Sequence, residues 1–229
     1  MNSLIKIQAF FLLALCVCAC AQQPADRNVE TKSTPSQAQP TKTMKSFPGG
    51  ACPDCNLMFL GMPLVLSAVD TTPGWFEKGQ KLKIEGTVFQ PDQKTPASEV
   101  IVYFYHTDQS GQYVPKDGIP PSARKHGYLR GWIKTGPDGR YAIYTSRPAQ
   151  YPNENIEAHI HVFVKEPYID VPYMIDEWIF DDDPLVTSAL RKKIKNQGGK
   201  NILEINLQND VQVAKHDIIL GLNIPGYPQ

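Results

Sequence analysis

The 229-residue chain has no surplus of either charge, since 23 Lys and Arg balance 23 Asp and Glu. Without a basic excess nothing points to nucleic acid, and without an acidic one the chain is not a solvating tail. Long apolar runs are also missing. The one near the amino terminus, Ala9–Leu15, is too short to span a bilayer. Cysteine is scarce, with five in all, and no second pair accompanies Cys52 and Cys55. That absence argues against a four-thiolate zinc site. No aromatic residue occurs from Ala21 to Lys45, so this stretch cannot bury enough apolar surface to offset its ordering entropy. Helical patterns do not alternate with the strand patterns, which excludes a parallel βαβ architecture.

Lys6 and the apolar run after it have the form of a secretory signal peptide over residues 1–19. Ala19 directly before Cys20 resembles a bacterial lipobox, which makes Cys20 the expected lipidated first residue. The alternative is a soluble secreted protein cut nearby. Residues 20–48 then form a flexible tether. The expected location is exported and membrane-anchored through lipid, on the periplasmic or outer-membrane side of a bacterial envelope. A lead-in segment, 49–79, carries Cys52-Pro53-Asp54-Cys55. In an oxidising compartment this pair reads as a small structural disulfide; a redox dithiol would need a strand-to-helix turn in a βαβ unit.

Regular alternation begins near Gln80. Leu82, Ile84 and Val88 alternate with Lys81, Lys83, Glu85 and Thr87, and 100–105 is apolar on both faces. Leu129–Thr135 and Tyr141–Thr145 flank Gly136-Pro137-Asp138-Gly139, which reads as a hairpin. Further strands are expected at 159–164, 202–207 and 218–222. One short helix is expected near 184–196, capped by Asp183, started by Pro184 and closed by Gly198. Short strands separated by turn residues make residues 80–229 an all-β domain, a β-sandwich.

Glu157–Val164 holds the sharpest chemical signal. Side chains alternate along a strand, so His159, His161 and Phe163 share one face while Ala158, Ile160, Val162 and Val164 share the other. Two imidazoles about 6.5–7 Å apart along one face can reach a common ion. On its own, a His-x-His strand is more often the mark of structural or surface histidines. His106, His126 and His216 have no partner at ligand spacing and read as structural. Tyr113, after the Gly111 turn, and Tyr151, eight residues before His159 in Gln150-Tyr151-Pro152-Asn153, read singly as amphipathic sandwich residues.

The series Gly86-Thr87-Val88, Ser110-Gly111-Gln112-Tyr113, Arg130-Gly131-Trp132, Asp138-Gly139-Arg140-Tyr141, Tyr151-Pro152 and Ala158-His159-Ile160-His161 resembles the intradiol ring-cleavage dioxygenases, the catechol and protocatechuate class. Order and spacing both match, best over residues 80–165. The resemblance implies a β-sandwich holding non-haem Fe(III) through Tyr113, Tyr151, His159 and His161. It also implies a small aromatic diol and O2 as substrates, with the ring opened between its two hydroxylated carbons. Tyr151 is the implied displaceable axial ligand. Where the family carries an arginine, three residues before its first ligand histidine, this chain has Ile156, followed by Glu157. Arg130 or Arg147 is the candidate substitute. A second function class fits the same motifs: an exported binding module that keeps the fold, with or without the metal, and has no turnover.

Overall fold

The computed structural model describes residues 48–52 and 54–228. The expected signal peptide, Cys20 and the tether up to residue 47 lie outside the described residues. Among the described residues the strands run β1 (Val69–Thr71), β2 (Lys81–Phe89), β3 (Ile101–His106), β4 (Arg130–Lys134), β5 (Arg140–Ser146), β6 (His159–Lys165), β7 (Tyr173–Met174), β8 (Trp178–Phe180), β9 (Ile202–Leu203), β10 (Asn206–Gln208), β11 (Val211–Lys215) and β12 (Ile218–Ile219). They form two sheets. The first is ordered β1-β5-β2-β11-β10, with β12 beside β2; the second is β4-β3-β6-β8-β9, with β7 beside β6.

The alternation read from the sequence decides how the sheets meet. Leu82, Ile84 and Val88 of β2 and Tyr141 and Ile143 of β5 are buried against Val102 and Phe104 of β3, Ile160, Val162 and Val164 of β6, and Trp178 and Phe180 of β8. Each fully buried aliphatic or aromatic side chain contributes about 1.5–3 kcal/mol, so this double layer is the main source of stability. The expected β-sandwich is the observed architecture. Gly86 lets the first sheet close, because a Cβ there would lie 1.7 Å from the backbone oxygen of His216.

Two expectations about connections are corrected. Strands β4 and β5 are not a hairpin: β4 pairs with β3 in the second sheet and β5 with β2 in the first. The Gly136–Gly139 turn carries the chain across the core, since turn chemistry dictates a reversal but not a partner. Likewise 202–207 is not one strand. Its first half, β9, pairs with β8, and β10 pairs with β11.

The helix is also shorter than expected, spanning only Ser188–Arg191 (α1), with the Thr187 side chain accepting from the Leu190 N–H. Asp183 does not cap it. Its carboxylate accepts instead from the backbone N–H groups of Ala158 and Leu185 and from the Gln150 side chain.

The outer face of the second sheet is covered by the lead-in segment. Cys52 and Cys55 are joined by a disulfide. Cys55 and Met58 pack on Tyr103, Tyr105 and Phe163, and the Trp132 indole donates to the Met58 carbonyl at 2.6 Å.

Candidate metal centre

His159 and His161 stand on this outer face, as the period-two pattern requires, at the end of β6 that the lead-in segment leaves free. The two tyrosines come from loops that are laced together. Asp108 accepts from the Ser110 and Gln112 N–H groups at 2.8 and 3.1 Å, and the Thr107 hydroxyl donates to the Ala149 carbonyl at 2.6 Å. Between them Gly111 adopts φ +75°, and a Cβ there would come within 2.0 Å of the Gln150 carbonyl oxygen. Only glycine permits that approach, which brings Tyr113 beside Tyr151. Asp183, by holding both Gln150 and the Ala158 N–H, ties the Tyr151 loop to the start of β6.

Four donor atoms meet as a result. Tyr113 Oη lies 2.6 Å from Tyr151 Oη and 2.8 Å from His161 Nε2. Tyr151 Oη lies 3.1 Å from His159 Nε2 and 3.5 Å from His161 Nε2. Metal bonds of about 2.0–2.1 Å at near right angles leave neighbouring ligand atoms about 3 Å apart, so these four have the spacing of one coordination shell.

Supporting groups fix both rings. His159 Nδ1 is 2.8 Å from the Glu157 carbonyl, which holds the proton there and leaves Nε2 as the lone-pair nitrogen. His161 Nδ1 is 2.8 Å from a carboxylate oxygen of Glu177, off the ideal line of the ring N–H. Tyr105 stacks on His161 with centroids 4.5 Å apart, and His126 stacks on the other face of Tyr105 at 3.8 Å.

Burial pushes the phenols of Tyr113 and Tyr151 above their ordinary range. Without a cation both therefore stay protonated at neutral pH, and a positive ion at the centre reverses that preference. Glu177 behaves oppositely: burial raises its carboxyl, but the hydrogen bond and charge of His161 outweigh this, and its pKa is lowered.

Glu177 belongs to none of the sequence motifs. Antiparallel pairing of β6 with β8 sets Ile160 opposite Trp178, which puts Glu177 opposite His161, a neighbour fixed by register and not by any local motif. His159, His161 and Glu177 together offer donor atoms within 4.8 Å of one another.

Two proposed arginines are placed elsewhere. Arg130 donates to the Leu60 carbonyl and lies over the Tyr103 and Trp132 rings, at 5.2 and 4.7 Å, and hydrogen-bonds none of the four. Arg147 makes a two-pronged ion pair with Asp182 at 2.7 and 2.9 Å. Ile156 is exposed. The histidines read as structural are buried, and His106 is bonded to the Thr107 carbonyl and the Thr145 hydroxyl. A cavity of about 240 Å³ is bordered by Glu157, Glu177, Lys193 and Lys195, with Ile179, Leu190 and Ile194 as apolar walls, and none of the four donor residues lines it.

No family model matches this chain. Its sequence is 30% identical over 137 residues to catechol 1,2-dioxygenase 1 of Acinetobacter lwoffii, a match covering 53% of this chain and 42% of that enzyme. The chain therefore spans less than half the length of that curated relative.

Its fold superposes on the dioxygenase domain of a dioxygenase and carbohydrate-binding fusion from Streptomyces sp. SirexAA-E, with TM-score 0.50 and 23% identity over 69% of this chain and 88% of that one. It also superposes on a variant of Acinetobacter radioresistens catechol 1,2-dioxygenase, with TM-score 0.52 and 17% identity over 74% of this chain and 62% of that one. The resemblance drawn from the motifs is borne out by these likenesses, and the fold is of the type it implied.

Proposed function

We propose that this chain, with the fold and motif order of the intradiol ring-cleavage dioxygenases, uses non-haem Fe(III) and O2 to open a catechol-type ring between its two hydroxylated carbons. The observation that carries the reading is that Tyr113, Tyr151, His159 and His161 are linked by four donor–donor distances of 2.6–3.5 Å. Two phenol oxygens and two imidazole nitrogens suit a hard trivalent ion, and these four residues would hold it. When bound, the ion supplies Lewis-acid activation of the diol and the charge that keeps the phenolates ionised.

The chain's own residues do the rest. Glu157 and Glu177 lock the two imidazoles with Nε2 inward, so the site is preorganised before substrate arrives. Tyr151 would be one of the residues holding the ion, and its Oη, 2.6 Å from Tyr113 Oη, would be the group that takes up a proton from the incoming diol. Arg130 and Arg147, engaged elsewhere, are given no step.

A second ligand set, His159, His161 and Glu177, is suggested by their mutual proximity. Glu177 approaches Nδ1 of His161, however, while the phenol oxygens gather at Nε2, which favours the four-residue set. As for location, we place the catalyst on an exported, lipid-anchored chain; incorporation of labelled palmitate that Cys20→Ser abolishes is the expected result.

The test of function uses the full chain loaded with ferric iron and a panel of catechols under O2. Uptake of O2 matched by a ring-opened dicarboxylic acid, lost in His159→Ala, is expected. Iron bound with no product from any catechol would instead mark a non-catalytic binding module.

A further inference from the structure

Tyr113 and Tyr151 reach the metal centre on loops that are held differently. The Tyr113 loop is fastened within itself, by Asp108 on the Ser110 and Gln112 N–H groups. The Tyr151 loop has little packing of its own, since residues 152–156 are exposed, so its two ends must set where the ring stands. Both ends are fastened to the short turn that follows β8.

On the entering side Arg147 pairs with Asp182 at 2.7 and 2.9 Å, and the Gln150 amide donates to both carboxylate oxygens of Asp183, at 3.0 and 3.2 Å. On the leaving side the Ala158 N–H donates to Asp183 Oδ2 at 2.9 Å, while the Leu185 N–H donates to Oδ1 at 2.9 Å. Asp183 is 6% exposed, so water is a poor substitute for these bonds. An asparagine there would turn an NH2 group, itself a donor, towards N–H groups that need an acceptor. Asp181, two residues earlier, faces elsewhere: its carboxylate accepts from the Ile205 N–H at 2.9 Å.

We propose that Asp183 is a positioning residue for Tyr151, its carboxylate spanning both ends of the loop and so fixing where Oη stands between Tyr113 and His159. Gln150 and Ala158 directly precede Tyr151 and His159, and one buried group therefore sets the spacing of that pair. The consequence for iron rests on the ligand set proposed above; the placement of the ring does not.

The placement is tested without metal, by fluorine NMR of the full chain labelled with 3-fluorotyrosine, the Tyr151 resonance being the one missing from Tyr151→Phe. That resonance should move towards the position of free 3-fluorotyrosine in Asp183→Asn and in Gln150→Met, and stay in place in Asp181→Asn. Gln150→Met removes one arm and keeps the bonds to Ala158 and Leu185, so it decides the matter if Asp183→Asn does not fold. On loading with ferric iron, Asp183→Asn and Gln150→Met should shift the charge-transfer band and weaken iron about 10- to 100-fold. Gln150→Met should change the spectrum no further once Tyr151→Phe is present. A resonance that moves as expected in a chain that takes up no iron upholds the positioning role and sinks the ring-cleavage reading alone. The proposal is overturned if the folded variants keep the wild-type Tyr151 resonance, if Asp181→Asn moves it as far, or if Gln150→Met still alters the spectrum in the Tyr151→Phe background.

Discussion

The two faces of strand β6 come from one run of seven residues and do opposite work. Inward, Ile160, Val162 and Val164 are fully buried against the first sheet; outward, His159 and His161 meet two tyrosines and a carboxylate. The inner face suits apolar groups because it packs wholly against the apolar side chains of the first sheet. The outer face accommodates imidazoles because Nε2 of each faces a phenol oxygen and His159 Nδ1 faces the Glu157 carbonyl. Function on this strand is grafted onto a scaffold that the other face stabilises.

The sharpest way to break the contrast is to put a charge on the wrong side. Val162→Asp buries an unpaired carboxylate and should cost about 4 kcal/mol or more, leaving no cooperative transition in urea. His159→Ala, three residues away on the opposite face, should keep that transition while removing stoichiometric iron, read by metal analysis. If both variants unfold, the two faces are not separable.

Acid sharpens the same division. Burial lowers the pKa of His106 and His216 to about 4 from 6.5. Their folded forms are neutral, so above pH 6.5 neither state binds extra protons. As pH falls from 6.5 towards 4 the unfolded chain takes up protons that the folded chain does not. Stability should then drop by up to about 1.4 kcal/mol per pH unit for each group, measured as urea unfolding free energy at pH 7, 6 and 5. A flat profile would mean these histidines are not held neutral.

A smaller effect is expected of Glu177→Gln, which keeps the shape beside His161 Nδ1 but removes the charge. Iron affinity should fall by about 10- to 100-fold, measured by competition with a chelator, with the urea midpoint unchanged.

Much of this was legible before any coordinates. The alternation at Leu82–Val88 and 159–164 fixes which side chains meet in the core, and local spacing is all that requires. The motif order also named the four residues that converge, although their meeting depends on Gly111 fitting against Gln150, a contact between distant loops. What stayed hidden is non-local in the same sense. The Gly136–Gly139 turn looks like a hairpin because its sequence encodes reversal, while the choice of sheet is made by burial on either side of the core. Asp183 looks like a helix cap because Pro184 follows it, but the N–H it satisfies belongs to Ala158, 25 residues back. Glu177 reaches His161 through strand register alone.

The proposed function rests on phenolate oxygens sharing one ferric ion with the two histidines. Its most direct test is the visible absorption spectrum of the full chain on stoichiometric loading with ferric iron. The expected result is a red protein with a phenolate-to-iron charge-transfer band, shifted in Tyr151→Phe, further weakened when Tyr113→Phe is added, and lost in His159→Ala. A colourless protein, or a spectrum that neither tyrosine substitution alters, would contradict it.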